Sequence, residues 1–235
     1  MPFKQFIIKQ NDSVGYTFTK DDFDLSHWQT KKDSVALTGG RGASEKIEIE
    51  KQFYVLRHYL RGGFIARFSR DYYLWTGLSQ SRPFQENKVI QLALQKSLPV
   101  PEVVAFCVEK SGLFYRASII SRFIDNEGTL ASFLFDSELS NSLWIKLGEL
   151  IRRLHQAGIS HADLNANNIL IDKNGKFYLI DFDKAKIIST LAKTGENNIQ
   201  RLLRSLKKIQ QYREQQNKAF HLTHENWQSL LAGYK

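Results

Sequence analysis

Cysteine is nearly absent. Cys107 stands alone, so no disulfide can form within the chain and no cysteine-built zinc site is expected. A reducing compartment fits that usage. Proline is scarce as well: four occur, two of them in Leu98-Pro-Val-Pro101. No Pro/Gly/Ser-rich linker, low-complexity tract or internal repeat breaks the chain, which suits one domain or two small lobes sharing a cleft. No run of 18 apolar residues appears, so no spanning helix is expected. The opening Met1-Pro-Phe-Lys-Gln-Phe-Ile-Ile-Lys9 is too short and too interrupted for a secretory leader. A cytosolic protein is the resulting expectation.

What is present is ordinary globular usage, 42% hydrophobic and 24% charged, in a chain long enough to bury a core. The net charge of +9 is uneven. From Lys184 onward ten Lys/Arg face three Asp/Glu, whereas the first 183 residues carry 23 basic and 21 acidic groups. Such a region can attract nucleic acid, anionic lipid or an anionic substrate, or serve as a solubilising helix face. No recognised nucleic-acid motif accompanies it.

Hydrophobic spacing sketches the elements. Short strands are expected at Ser34–Thr38 and, as an exposed strand, at Lys46–Glu50. A more buried strand is expected over Phe53–Leu60, and others at Val103–Val108 and Tyr115–Arg122. A helix is expected from about Pro83 to Lys96, and the clearest one over Ser142–Gln156, stopped by Gly158. Strands at Ile169–Ile171 and Phe177–Ile180 flank the turn Asp172-Lys-Asn-Gly175. A basic amphipathic helix over Asn198–Tyr212 and a last helix over His224–Ala232 follow. The first 30 residues show weak periodicity. Strands in front and helices behind make an α+β layout.

The chemistry concentrates in His161-Ala-Asp163-Leu-Asn-Ala-Asn-Asn168, followed by Asp181-Phe-Asp183. Phosphoryl transfer asks the protein for positioning and charge neutralisation. Asp163 is placed to take or orient the proton of an acceptor hydroxyl. Asn168 and Asp181 offer hard oxygen ligands for Mg2+, and the hairpin between them returns them to one end. The set matches the kinase pattern H-R-D-L-x-x-x-N then D-F-G at His161, Asp163, Leu164, Asn168, Asp181 and Phe182. Turn-forming Asp and Asn residues are the bland alternative.

Upstream, Gly39-Gly-Arg-Gly42 suits a loop covering phosphates with backbone N–H groups, with Gly39, Gly40 and Gly42 as its glycines. Arg57 stands where kinases place a phosphate-binding lysine and can bridge α- and β-phosphates. Glu86 can pair with Arg57, or can simply complement its helix dipole as a solvated acid. Asp183 and Ala162 depart from the pattern, which has Gly and Arg there. After Asp183 neither an activation segment nor an A-P-E motif is visible, which argues for a non-protein acceptor.

Together with Tyr54-Val-Leu-Arg-His-Tyr-Leu-Arg-Gly-Gly63, Arg82-Pro-Phe-Gln-Glu86 and Leu98-Pro-Val-Pro101, these motifs resemble the 3-deoxy-D-manno-octulosonic acid (Kdo) kinases, a lipopolysaccharide core sugar kinase family. The resemblance spans about residues 35–186. It implies a protein-kinase-like two-lobe fold: a sheet-rich N-lobe near 1–125, a shortened helical C-lobe near 126–235, and an ATP cleft between. It implies ATP and Mg2+, Asp163 as the active-site aspartate, and phosphorylation of the Kdo 4-hydroxyl on a lipid A precursor at the cytoplasmic face of an inner membrane. Arg61, Arg67 and Arg70, near Phe64, Phe68, Tyr72, Tyr73 and Trp75, and the basic helix, are candidates for meeting that membrane. A soluble small-molecule kinase of the aminoglycoside or choline type, or a silent pseudokinase, are the competing readings.

Overall fold

The structure is a computed structural model describing residues 4–11, 14–31, 34–37, 44–60, 71–188 and 192–235. These residues form two compact units, Met1–Lys88 with Pro101–Ile124, and Val89–Val100 with Asp125–Lys235.

The first unit is built on an antiparallel sheet. In chain order it contains β1 (Lys4–Gln10), α1 (Leu25–Lys31), β2 (Ser34–Ala36), β3 (Ser44–Ile49), β4 (Gln52–His58) and β5 (Tyr73–Leu74). The first half of α2 (Arg82–Gln95), then β6 (Val103–Ser111) and β7 (Phe114–Arg122), complete it. The strands lie in the order β1-β6-β7-β4-β3-β2, with β5 paired to the start of β7. β3 and β4 are joined through Glu50 and Lys51, at φ 49° and 63°. Two left-handed residues in succession match the twist of a two-residue hairpin.

One sheet face is covered by the segment from Val14 to Trp28, whose Phe18, Phe23 and Trp28 pack with Ile47, Leu56 and Ile120. On the other side Phe84 of α2 meets Phe106 edge to face at 6.4 Å. A central strand covered on both faces loses its alternation, and Val103–Val108 is buried throughout. Asp22 is a buried acid beside this core. It accepts from the Tyr16 hydroxyl at 2.8 Å and from the Thr19 N–H at 2.6 Å. Burial, then this bond, pushes the Tyr16 phenol up to about 12.

The second unit holds the rest of α2, then β8 (Gly128–Thr129), α3 (Leu130–Asp136), α4 (Asn141–Gln156) and β9 (Ile159–Ser160). β10 (Ile169–Ile171), β11 (Phe177–Leu179), β12 (Lys186–Ile187), α5 (Ala192–Glu214) and α6 (His224–Tyr234) follow. α3 opens with a reciprocal cap between Thr129 and Ser132, and Thr223 with Asn226 does the same for α6. α4 buries Trp144, Leu147, Ile151 and Leu154 on one side. Its backbone is admitted close to α6 at two small residues. A Cβ on Gly148 would overlap the Leu230 carbonyl oxygen, and one on Gly233 would overlap the Ile145 carbonyl oxygen.

The expected helices and most expected strands are found, with shifted ends. Lys46–Glu50 departs from expectation, because Ile47 and Ile49 are buried. The strand expected to be buried over Phe53–Leu60 is only half so: Tyr54 and Leu56 are inside while Phe53 is 47% exposed. The Lys46 ammonium covers the Phe53 ring at 3.9 Å. Both departures have one cause, since a strand with a single core face alternates. β1 and α3 were not expected. β1 is an edge strand whose place depends on pairing with β6.

Gly148→Ala and Gly233→Ala are each expected to cost about 1–3 kcal/mol or more, because rigid backbone must yield. Thermal denaturation should show both variants well below the parent, and a midpoint unchanged within a degree would refute the close crossing.

Candidate active site

The path to the site begins at the end of α4. Gly158, at φ 73°, turns the chain out of the helix, and β9 leads into loop 161–168. Within the loop the Asn165 side chain accepts from the Asn167 N–H and starts a 3-10 turn over Ala166–Asn168. Asn168 then enters β10. Asp172 folds the hairpin tip, its Oδ1 accepting from the N–H groups of Asn174 and Lys176 while Gly175 takes φ 73°. β11 returns antiparallel to β10, with Ile169 opposite Leu179, and the Ile180 N–H donates to the Asn168 carbonyl at 3.0 Å.

This gathers three sequence candidates at one end of the hairpin. The Asn168 amide Nδ2 donates to the Asp163 carbonyl at 2.9 Å, which leaves Oδ1 as its oxygen for a cation. Asp181 follows Ile180 directly and sits at φ 62°, a left-handed conformation that Asp tolerates better than most residues. Asp163, Asn168 and Asp181 are all partly exposed, as groups that meet a ligand must be. Among the described residues no cluster of three or more His, Cys, Asp or Glu forms a ready-made metal cage. One Asn and one carboxylate still suit Mg2+, which takes hard oxygens and keeps waters and phosphate oxygens as its other ligands.

Beneath them lies His161, with no exposed surface. Its Nε2 donates to the Ile180 carbonyl at 2.9 Å, and its ring packs on Phe182 at 4.7 Å. Nδ1 is buried and finds no partner. Burial drives the His161 pKa down, and the hydrogen bond to Ile180 and the nearby Asp181 and Asp163 only partly offset this. The imidazole is therefore neutral and ties the loop to the end of β11.

The first unit holds a second cluster. Arg57 on β4 and Glu86 on α2 form an ion pair, with Arg57 Nη2 2.6 Å from each carboxylate oxygen. The Tyr59 hydroxyl donates to Glu86 Oε2 at 2.5 Å. Glu86 is 4% exposed, which sets aside the solvated-acid alternative. A buried carboxylate with a cation and a phenol on it is a rigid support for the guanidinium. Tyr59 was not singled out in the sequence, although its place two residues beyond Arg57 puts it on the same strand face. Gly39, Gly40 and Gly42 lie outside the described residues, as do Arg61, Arg67 and Arg70.

Sequence reading also passed over the supports of the loop. The Asn198 side-chain oxygen accepts from the His161 N–H at 2.9 Å, and Ser205 Oγ accepts from the Ala166 N–H at 3.2 Å. Both lie on α5, whose apolar residues Ile199, Leu202 and Leu206 are buried. The basic residues Arg201, Arg204, Lys207 and Lys208 remain exposed. Two small polar residues among the apolar positions of a helix were the available signal.

An α+β fold with a large antiparallel sheet, and a loop and hairpin carrying Asp, Asn and Asp in kinase order, define a kinase-like phosphotransferase. Residues 26–234 match the lipopolysaccharide kinase (Kdo/WaaP) family, and the chain belongs to it. Among its relatives is a 3-deoxy-D-manno-octulosonic acid kinase of Stenotrophomonas maltophilia, 42% identical over 189 residues, covering 80% of this chain and 75% of the relative. A protein of the same name from Vibrio parahaemolyticus is 36% identical over 186 residues, covering 79% and 78%. One from Xanthomonas axonopodis is 40% identical over 179 residues, covering 76% and 72%. The chain is thus a kinase, and a kinase family implies ATP as the phosphoryl donor.

His58, His155 and His161 all have pKa values lowered, in each case chiefly by burial. Below about pH 6.5 the unfolded chain binds protons that the folded one refuses. Stability should therefore be level above pH 7 and fall between pH 6.5 and 5.5, by up to ~1.4 kcal/mol per pH unit for each histidine. Urea denaturation across that range measures this, and a midpoint that stays level would rule it out.

Proposed function

We propose that the protein transfers the γ-phosphoryl group of ATP to the 4-hydroxyl of a Kdo residue on a Kdo-bearing lipid A precursor, Kdo-lipid IVA, in lipopolysaccharide core synthesis. The observation that carries this reading is the convergence of Asp163, Asn168 and Asp181 at one end of the β10–β11 hairpin in a member of this family. The names of the relatives supply the sugar. The chain acts in this reading as one kinase-like catalytic domain, residues 1–125 its N-lobe and 126–235 its C-lobe.

Asp163 orients the acceptor hydroxyl and takes its proton as the oxygen attacks phosphorus. Asn168 Oδ1 and the Asp181 carboxylate hold Mg2+. When bound, that ion neutralises charge on the phosphate oxygens. Arg57 contacts the α- and β-phosphates, and its pairing with Glu86, buttressed by Tyr59, keeps the guanidinium in one geometry. Gly39, Gly40 and Gly42 cover the phosphates with backbone N–H groups. The left-handed backbone at Asp181 aims its carboxylate at a strain cost of about 1–3 kcal/mol.

The acceptor lies in a bilayer, and no helix among the described residues is long and apolar enough to cross one. The proposed contact is peripheral, through the exposed cations of α5 on an anionic surface. Each cation near such a surface contributes ~1 kcal/mol. Changing Arg204, Lys207 and Lys208 together to Glu should lower binding to phosphatidylglycerol-containing vesicles by tenfold or more, about 2 kcal/mol being enough for that. Sedimentation with vesicles reads it directly, and unaltered binding would remove α5 from the membrane contact.

Mass spectrometry of the Kdo-bearing lipid A precursor, incubated with the protein, ATP and Mg2+, tests the chemistry. One added phosphate on Kdo is expected, with its position read by fragmentation. Asp163→Ala should abolish the gain while ATP still binds, and Asp181→Ala should weaken Mg2+-dependent nucleotide binding too. Unimpaired transfer by Asp163→Ala would refute the assignment of the loop. Phosphorylation of free small alcohols in place of the lipid-linked sugar would favour the soluble-kinase alternative.

A further inference from the structure

The loop that carries Asp163 is held from behind by a chain of hydrogen bonds with a fixed direction. The Asn198 side-chain oxygen accepts from the His161 N–H at 2.9 Å and lies 3.2 Å from His155 Nε2. On the far side of that ring, His155 Nδ1 lies 2.8 Å from the Tyr234 hydroxyl. A backbone N–H can only donate, so it fixes the oxygen end of the Asn198 amide toward the loop. An amide oxygen can only accept, so His155 Nε2 must carry its hydrogen. The neutral ring then leaves Nδ1 as an acceptor, and the Tyr234 hydroxyl must donate to it. Burial, which lowers the His155 pKa, keeps the ring neutral. His155 and Asn198 are 5% and 4% exposed, so water does not compete for these bonds.

The packing is shaped to admit this chain. Gly195 lies three residues before Asn198 on α5, and a Cβ there would come within 2.6 Å of the Tyr234 hydroxyl and 3.1 Å of His155 Nδ1. A second tether reaches the same loop from α5, where Ser205 Oγ accepts from the Ala166 N–H at 3.2 Å. The two anchored amides bracket Asp163, one two residues before it and the other three residues after.

We propose that Asn198, backed by His155 and Tyr234, is a positioning residue for Asp163, and that α5 and α6 thereby set the reach of the carboxylate toward the acceptor hydroxyl. The proposal rests on the reading of Asp163 as the catalytic carboxylate. None of the three residues touches substrate. They act by allowing loop 161–168 a single register, and a misplacement on the order of 1 Å can cost about 100-fold in rate.

Asn198→Leu removes the acceptor at similar size, Asn198→Asp keeps an oxygen toward His161, and Tyr234→Phe deletes only the hydroxyl at the far end. With ATP and the Kdo-bearing lipid A precursor, Asn198→Leu should lose about tenfold or more in kcat while its KM for ATP stays within about twofold. Asn198→Asp should recover most of that kcat. Tyr234→Phe, which keeps the ring packing and serves if Asn198→Leu does not fold, should lose several-fold in kcat. In 15N spectra His155 should be the Nε2–H tautomer in the parent and still in Tyr234→Phe, and a mixture in Asn198→Leu, where the accepting oxygen is gone. Parental kcat in folded Asn198→Leu, or an Nδ1–H tautomer of His155 in the parent, overturns the proposal. Asp163→Ala runs beside them. If it turns over, the catalytic reading fails and takes the positioning claim with it; if it is dead while Asn198→Leu is unimpaired, the positioning claim alone is lost.

Discussion

A fully buried imidazole must find its hydrogen-bond partners inside the protein, and His161 finds one in the Ile180 carbonyl oxygen at 2.9 Å. That bond spans nineteen residues, from the loop before β10 to the residue after β11. It fastens the two ends of the hairpin region that carries Asp163 on one side and Asp181 on the other. The ring also packs on Phe182, so the position of Asp181 is set from both neighbours. The cost is visible at Nδ1, which is buried without a partner, a loss of about 1–3 kcal/mol. The stability of the surrounding core has to carry that loss, together with the left-handed backbone at Asp181.

Around this bond α4, α5 and α6 of the second unit each have a part. α4 delivers the loop and lies close enough to α6 that Gly148 and Gly233 admit no side chain. α5 lays its apolar residues into the core and presents Asn198 and Ser205 to backbone amides of the loop. The same helix leaves Arg201, Arg204, Lys207 and Lys208 on its solvent side. Ile199, Leu202 and Leu206 of its apolar stripe are buried within the protein, while the cations and Tyr212 lie exposed. In the first unit the Arg57–Glu86–Tyr59 cluster follows the same logic, with a buried acid fixing a partly exposed cation.

Much of this was legible in the residues. The turn Asp172-Lys-Asn-Gly175 demanded a hairpin, and its short flanking strands fixed which residues share an end. The spacing of Leu143, Leu147, Leu150, Ile151 and Leu154 marked α4, and Gly158 its stop. The pairing of Arg57 with Glu86 was one of two readings that kinase order left open, and its burial and the part of Tyr59 were not foreseen. β1 was missed because an edge strand has little pattern of its own, and its pairing with β6 bridges about a hundred residues. Phe53 misled because its cover is the ammonium of Lys46 on the neighbouring strand, a contact with no trace in local periodicity.

By itself the sequence determined the chemistry on offer. Asp163, Asn168 and Asp181 stand in kinase order and spacing, and local turn and helix signals put them on a loop and a hairpin. What only the tertiary structure decided is how those groups are held. His155, Asn198 and Tyr234 lie far apart along the chain, and none belongs to a motif. Their hydrogen bonds exist because α4 and α6 cross closely at Gly148 and Gly233, and Gly195 of α5 leaves room for the Tyr234 hydroxyl and the His155 ring. Local preferences act over a few residues, so they name the candidate groups. The direction of a buried hydrogen-bond chain depends on which surfaces exclude water, and that is settled only when the helices meet.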